Sequence, residues 1–359
     1  MRRYYGIEFL RLLTSLSVLL YHYRHFFIPH TTFSSNVFDE TKAGLPFYSI
    51  LEIFYNKGFY GVHMFYAISG FVFAHVYLSY NEKISGKEFF INRFARLYPL
   101  HFATLILIAV LQIINLRLSN TFQIVPINDF YHFTLNLFFI SAWGLEQGHS
   151  FNAPIWSVSV EIFIYGIFFL LLNILRKYKI SAALIICIIL LFVAKLQIID
   201  SIFHSDLTTD NLFLECGRLF FSGVLVYYLS LRIKSKYILF FASAILLILS
   251  LVGNFKTYLF CPSLLLLVVS LEDLVKGERL KKFFVASGNL TYALYLLHIP
   301  IQIIILLTVK NLNISDLVYL ETYFFIIFFT IMIISAHLCF KFYEKPMNIR
   351  IRKTFIKKK

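Results

Sequence analysis

Apolar runs recur along the whole 359-residue chain, at about residues 7 to 28, 58 to 80, 98 to 117, 154 to 175, 180 to 199, 212 to 231, 237 to 252, 257 to 271, 290 to 309 and 319 to 342. Most charged residues lie in the gaps between them. A helix of roughly twenty residues, rising 1.5 Å per residue, matches the ~30 Å hydrocarbon core of a bilayer. In lipid each backbone N–H and C=O must be satisfied within its own segment, which a helix achieves. The pattern predicts an all-α, polytopic integral membrane protein with about ten transmembrane helices. Composition agrees: 59% of residues are hydrophobic, 14% are charged and the mean hydropathy is +0.75, which leaves too few polar side chains to cover a soluble domain. The formal charge of +14 does not point to nucleic acid, because the basic residues sit beside apolar spans instead of forming a stripe interleaved with aromatics.

The basic residues set the expected topology. With ten spans and a cytoplasmic N-terminus, the inner gaps hold Arg2, Arg3, the Lys/Arg of 81 to 97, 176 to 179, 232 to 236 and 272 to 282, and all those from Lys341 onward. The outer gaps hold only Lys42, Lys57, Arg117, Lys256 and Lys310. A weaker apolar stretch, 130 to 143, carries His132 and Asn136. As a full span it would invert every later loop, so it is read as re-entrant or interfacial. The first run is longer than a signal-peptide core and lacks a small-residue cleavage site, so it is expected to remain as a membrane helix. Cys187, Cys216, Cys261 and Cys339 have no metal-ligand spacing and read as packing residues. The outer gaps 29 to 57 and 118 to 153 are the only long ones, and no internal repeat or appended soluble domain breaks the chain. Residues 1–359 are therefore expected to form one membrane domain.

Ionisable groups inside spans are costly and mark candidate function. Arg11 and His22, eleven residues apart, lie ~16 Å apart along one helix and within ~20° of one face. Arg11 also suits a salt bridge to Glu8, and His22 a polar contact between helices. Glu161, in PIWSVSVEIFIYG, enters from the outer side to about the depth of His22, where it can orient the imidazole and raise its basicity, or tie two helices together. Arg93 and Arg96 project together before the third span, as a phosphate-binding fork or as topology signals. Arg218 suits an i,i+3 pair with Glu215. Tyr292, Tyr295 and His298 recur every three residues on one side of the ninth span, as packing or as a cavity wall.

In order along the chain these segments resemble the acyltransferase 3 family. FLRLLTSLSVLLYHY, with Arg11 and His22, looks like its opening helix. GVHMFYAISGFVFAH resembles its second helix, with Ser69 and Gly70 in place. NRFARLYPLH carries the arginine pair followed by Tyr98 and Pro99. PIWSVSVEIFIYG matches the Trp-Ser-x-x-x-Glu segment in Trp156, Ser157 and Glu161. GNLTYALYLLHIP and the closing YEKP complete the series. His63 departs from the acidic residue of many members, and Ile162 from a common second glutamate. The resemblance implies an acyl-CoA donor, an opening-helix histidine essential to transfer, and an arginine pair on the donor side. It further implies a bacterial inner-membrane enzyme, both termini cytoplasmic, that acylates a surface polysaccharide or its lipid-linked precursor, most simply by O-acetylation.

These readings give a route. Acyl-CoA, acetyl-CoA in this reading, is a donor substrate and not a bound cofactor; it would rest its phosphates near Arg93 and Arg96 and extend past Arg11 to His22. An acceptor hydroxyl would lose its proton to His22, oriented by Glu161, and attack the thioester directly. A covalent acyl-enzyme on His22, Ser157 or Ser159 is equally compatible. Ser69, Trp156, Ser157, Ser159, Tyr292, Tyr295 and His298 are expected to line the cavity. No metal site is expected. The competing class is a transporter or flippase of a lipid-linked sugar, and a third reading is acylation of a lipid or small molecule.

Overall fold

The computed structural model describes residues 2–27, 42–79, 84–195, 211–252 and 256–356. The ends of the expected spans at 28, 80 and 196–199, residues 29–41 of the first long outer gap, and Lys83 with the last three lysines lie outside the described residues. Among the described residues twelve α-helices form: α1 (Tyr5–His22), α2 (Tyr48–Lys57), α3 (Tyr60–Tyr77), α4 (Gly86–Ser119), α5 (Phe130–Leu137), α6 (Ile155–Lys195), α7 (Leu212–Arg232), α8 (Lys236–Val252), α9 (Thr257–Ser270), α10 (Glu278–Asn311), α11 (Thr322–Cys339) and α12 (Lys345–Phe355). There is no strand among the described residues. The protein is thus all-helical and fits a polytopic membrane protein.

All ten apolar runs fall on helices. Two of them share α6, which breaks at Lys179 (φ 46°, ψ −118°), inside the basic gap that separates the runs in sequence. By length and hydropathy five helices can cross a membrane, or six if α2 and α3, bent by 66°, are one span. The expected ten is therefore not reached on length alone. The seventeen residues of α8 and fourteen of α9 rise only ~26 Å and ~21 Å. The ambiguous stretch at 130 to 143 holds just the eight residues of α5, ~12 Å of rise, too short to cross.

The chain gathers into two compact units. The first comprises residues 1–14, 60–86 and 160–289. Its centre is the pair α3 and α7, with α9 against both and α8 against α9. Gly70 and Gly223 allow this: a Cβ at Gly70 would stand 1.7 Å from the Phe220 carbonyl oxygen, and one at Gly223 1.9 Å from that of Ala67. The backbones touch, as small residues permit between membrane helices. Phe73 stacks on Tyr165 at 4.2 Å and meets Phe220 edge-on. Glu272 accepts the Tyr5 and Gly6 N–H groups at 2.6 and 2.9 Å, satisfying orphan donors at the start of α1.

The second unit comprises residues 15–59, 87–159 and 290–359. An aromatic core of Tyr23, Phe26, Tyr319 and Phe328 anchors it, with the Tyr23 hydroxyl donating to the Tyr319 carbonyl at 2.8 Å. The loop around α5 is held by side chains. Asp129 caps α5 and accepts from both the His132 N–H and its ring, and His132 Nε2 accepts the Gln147 N–H at 3.1 Å. Burial opposes the Asp129 charge, but these bonds to His132 outweigh it and hold the carboxyl below its ordinary range.

Candidate active site

In the second unit α1 ends at His22 and passes into a 3₁₀ turn, Tyr23–Phe26. The tighter turn brings His25 back to His22, with ring centroids 5.1 Å apart, and His298 of α10 lies 4.8 Å from His22. Gln302, one turn beyond His298, ties the two segments. Its amide N–H₂ donates to the His22 carbonyl at 2.8 Å, and its Oε1 lies 3.3 Å from His25 Nδ1. An amide oxygen is only an acceptor, so His25 carries its proton on Nδ1.

The same logic fixes His22. Its Nδ1 lies 2.9 Å from the Val18 carbonyl, which can only accept, so Nδ1 holds the proton and Nε2 presents a lone pair. His298 is fully buried beside His22. The site therefore concentrates three imidazoles, with a proton-accepting nitrogen on His22.

The α10 wall is tied to its neighbours by hydroxyls. Tyr292 donates to the Leu97 carbonyl at 2.6 Å, and Tyr295 to that of Pro154 at 2.9 Å. The Ser157 hydroxyl also donates to the Pro154 carbonyl and meets the Tyr295 hydroxyl at 2.8 Å. These groups join helices. Pro300 has no N–H, which leaves the Leu296 carbonyl without its helical donor; Asn152 Nδ2 supplies one at 3.0 Å. Ser159 is fully buried, its carbonyl accepting the Trp143 indole N–H, and Trp156 is half-buried.

Arg93 and Arg96 both belong to the second unit, on α4. Arg96 forms a salt bridge with Glu344, whose side chain is only 2% exposed, and lies over the Tyr292 ring at 5.6 Å. Glu344 closes a π-helical turn, Phe340–Glu344, and its neighbour Tyr343 donates to the Pro99 carbonyl. The YEKP segment thus supplies a carboxylate partner to one arginine of the expected phosphate fork, a role that sequence reading did not assign.

Arg11, Ser69 and Glu161 belong to the first unit. Arg11 bonds Glu8 at 3.1 Å, and Glu8 also pairs with Arg3. Gly288 makes the room, since a Cβ there would stand 2.0 Å from Glu8 Oε2. Ser69 is half-buried beside Gly70 on α3. Glu161 is 9% exposed on α6 and shares the surroundings of Cys216 with Glu215. His63 is paired with Glu215 of α7 at 3.0 Å, so a carboxylate stands beside it. The described residues contain no His/Cys/Asp/Glu group arranged to hold a metal.

Fold and site together define a helical membrane protein with a buried imidazole cluster at the end of its first helix. A family model described as an acyltransferase domain, that of the acyltransferase 3 family, matches residues 4–340. The chain belongs to that family and is a membrane acyltransferase. Comparison with curated proteins and with solved structures gave no match.

Proposed function

We propose that this acyltransferase moves an acetyl group from cytoplasmic acetyl-CoA to a hydroxyl of a cell-surface polysaccharide or its lipid-linked precursor, in a bacterial inner membrane. The observation that carries the chemistry is the His22 tautomer: Nδ1–H is engaged by Val18, so Nε2 is the basic nitrogen. The acceptor hydroxyl gives its proton to Nε2 as its oxygen bonds to the thioester carbon. The tetrahedral adduct then collapses, the C–S bond breaks, and the departing thiolate takes the proton back from Nε2. His25 and Gln302 hold the ring end of α1 in place while this happens.

In this reading the chain crosses the membrane ten times with both termini cytoplasmic, and α5 lies on the outer side without spanning. Arg93 meets the donor phosphates, joined by Arg96 when it is drawn from Glu344. Glu161 and Arg11 keep the catalytic and donor-side parts that the sequence pattern gives them, and their test is kinetic. The membrane-solvated chain and the family support the acyl transfer, while acetyl and the glycan acceptor follow from the resemblance.

The experiment compares cell-surface glycans by mass spectrometry from cells carrying wild-type, His22→Ala or no protein. An acetyl mass present with wild type, and lost with a normally expressed His22→Ala chain, is the expected result. Glycans of unchanged mass would remove the acceptor, and full acetylation by His22→Ala would remove the base.

A further inference from the structure

A cavity of about 270 Å³ opens in the first unit where α3, α7 and α9 end and α8 begins. Arg2, His75 and Lys236 face it together with the hydroxyls of Tyr227, Ser79 and Ser230, and none of its lining residues is acidic. Its frame is built from within. The His75 Nε2–H donates to the Arg2 carbonyl at 2.6 Å, and the Ser79 hydroxyl to the His75 carbonyl at 2.6 Å. Ser79 has only one proton to give, so at 2.6 Å it is the Tyr227 hydroxyl that donates to Ser79.

The two permanent cations are not explained by this frame. Arg2 gives one guanidinium nitrogen to Asp273 at 2.9 Å, out of five N–H donors that the group possesses. Lys236 forms no ion pair among the described residues. It stands in the first turn of α8, where a cation opposes the helix's own dipole. An anion in the cavity would reverse that disadvantage. Directly along α8 from Lys236, the side chains of Tyr237, Ile238, Phe241 and Ile245 are exposed, as is Leu231 at the end of α7. In a membrane these surfaces meet acyl chains, with the cavity at headgroup level. Basic pockets between membrane helices are a known physical setting for anionic headgroups.

We propose that this cavity binds the phosphate of an anionic phospholipid headgroup, held by Lys236 and Arg2, with the lipid's chains along the exposed side of α8. The site shares no residue with the imidazole cluster or with the arginine pair of α4. It does not depend on which acyl group or acceptor the enzyme uses.

The test uses the full chain purified in detergent and exposed to phosphatidylglycerol or phosphatidylcholine, with retained lipid counted by native mass spectrometry. Wild type should retain phosphatidylglycerol preferentially. Arg2→Gln with Lys236→Gln should lower that retention about tenfold and leave phosphatidylcholine unchanged. Lys236→Gln alone should lower it less, and Lys236→Arg should keep it; these single variants carry the test if the double variant fails to fold. Lys234→Gln, which removes an equal charge from the same turn but lies outside the cavity, should have no effect. Equal retention by wild type and the cavity variants overturns the proposal, and so does an equal loss from Lys234→Gln, which would mean diffuse surface attraction. Displacement of the bound lipid by millimolar inorganic phosphate or coenzyme A would overturn the lipid assignment in favour of a soluble phosphate ester.

Discussion

Replacing Glu344 by Gln separates two meanings of Arg96. The Glu344 carboxylate is 2% exposed and the Arg96 side chain 28% exposed. Stripping one partner from a fully buried pair costs ~3–5 kcal/mol, because an uncompensated charge is left behind. Here Arg96 retains partial solvent access and the Tyr292 face, and the amide oxygen of Gln still accepts a hydrogen bond. The cost should fall to ~1–3 kcal/mol, seen as a lower thermal midpoint in detergent. Donor binding should move the other way. A phosphate sharing the guanidinium would stand ~7 Å from the Glu344 carboxylate, a repulsion of ~2 kcal/mol at an effective dielectric of about 20, somewhat less after ionic screening. Removing it should strengthen acyl-CoA binding about tenfold, measured by calorimetry on purified protein. An affinity that stays level or weakens, while the midpoint still drops, would refute the reasoning and leave Arg96 as the structural partner of Glu344.

Two further outcomes follow from the packing and from the structured loop. Gly70→Ala should cost at least ~3 kcal/mol and reduce folded yield on size-exclusion chromatography, because its methyl group meets the Phe220 backbone instead of a movable side chain. Gly166→Ala, with nothing within 4 Å, should be neutral or slightly stabilising; equal effects at the two sites would contradict the α3–α7 contact. Burial lowers the His149 imidazole to about 4, whereas in the unfolded chain it titrates near ~6.5. The folded state therefore binds fewer protons between these values. Its stability is fully present above pH ~6.5 and declines toward pH 4, by up to ~1.4 kcal/mol per pH unit. Amide protection factors in residues 144–153 should fall on acidification in wild type and stay level in His149→Gln. Unchanged wild-type protection would exclude this linkage.

The helical fold was legible because lipid leaves few alternatives, and the basic gap at Arg176 to Lys179 correctly marked a break between two apolar runs. The span count was less legible. A hydropathy run records how many apolar residues stand together, but the runs under α8 and α9 are themselves short, and the depth of those helices depends on what surrounds them. Nor did composition reveal why Gly70, Gly223 and Gly288 stand where they do. A glycine's reason is the atom its absent Cβ would strike, and for all three that atom belongs to a residue distant in sequence.

For the site, the polar residues inside the spans were identified, but their division of labour was not. Arg11 was read with its tie to Glu8, while the partners of the others were not: Arg96 meets Glu344, Ser157 meets Pro154 and Tyr295, and Tyr292 meets Leu97. His25 and Gln302 escaped notice because a 3₁₀ turn after α1, which hydropathy does not encode, folds one back toward His22, and a wall of apolar neighbours on α10 hides the other. Asn152 escaped for a related reason, since its value lies in a carbonyl that a proline 148 positions away sets free. Among the clustered imidazoles, His22 keeps an Nε2 that none of these ties occupies. A polar group in a membrane helix is costly, so one that is not spent on holding the fold is where a proton is most usefully moved.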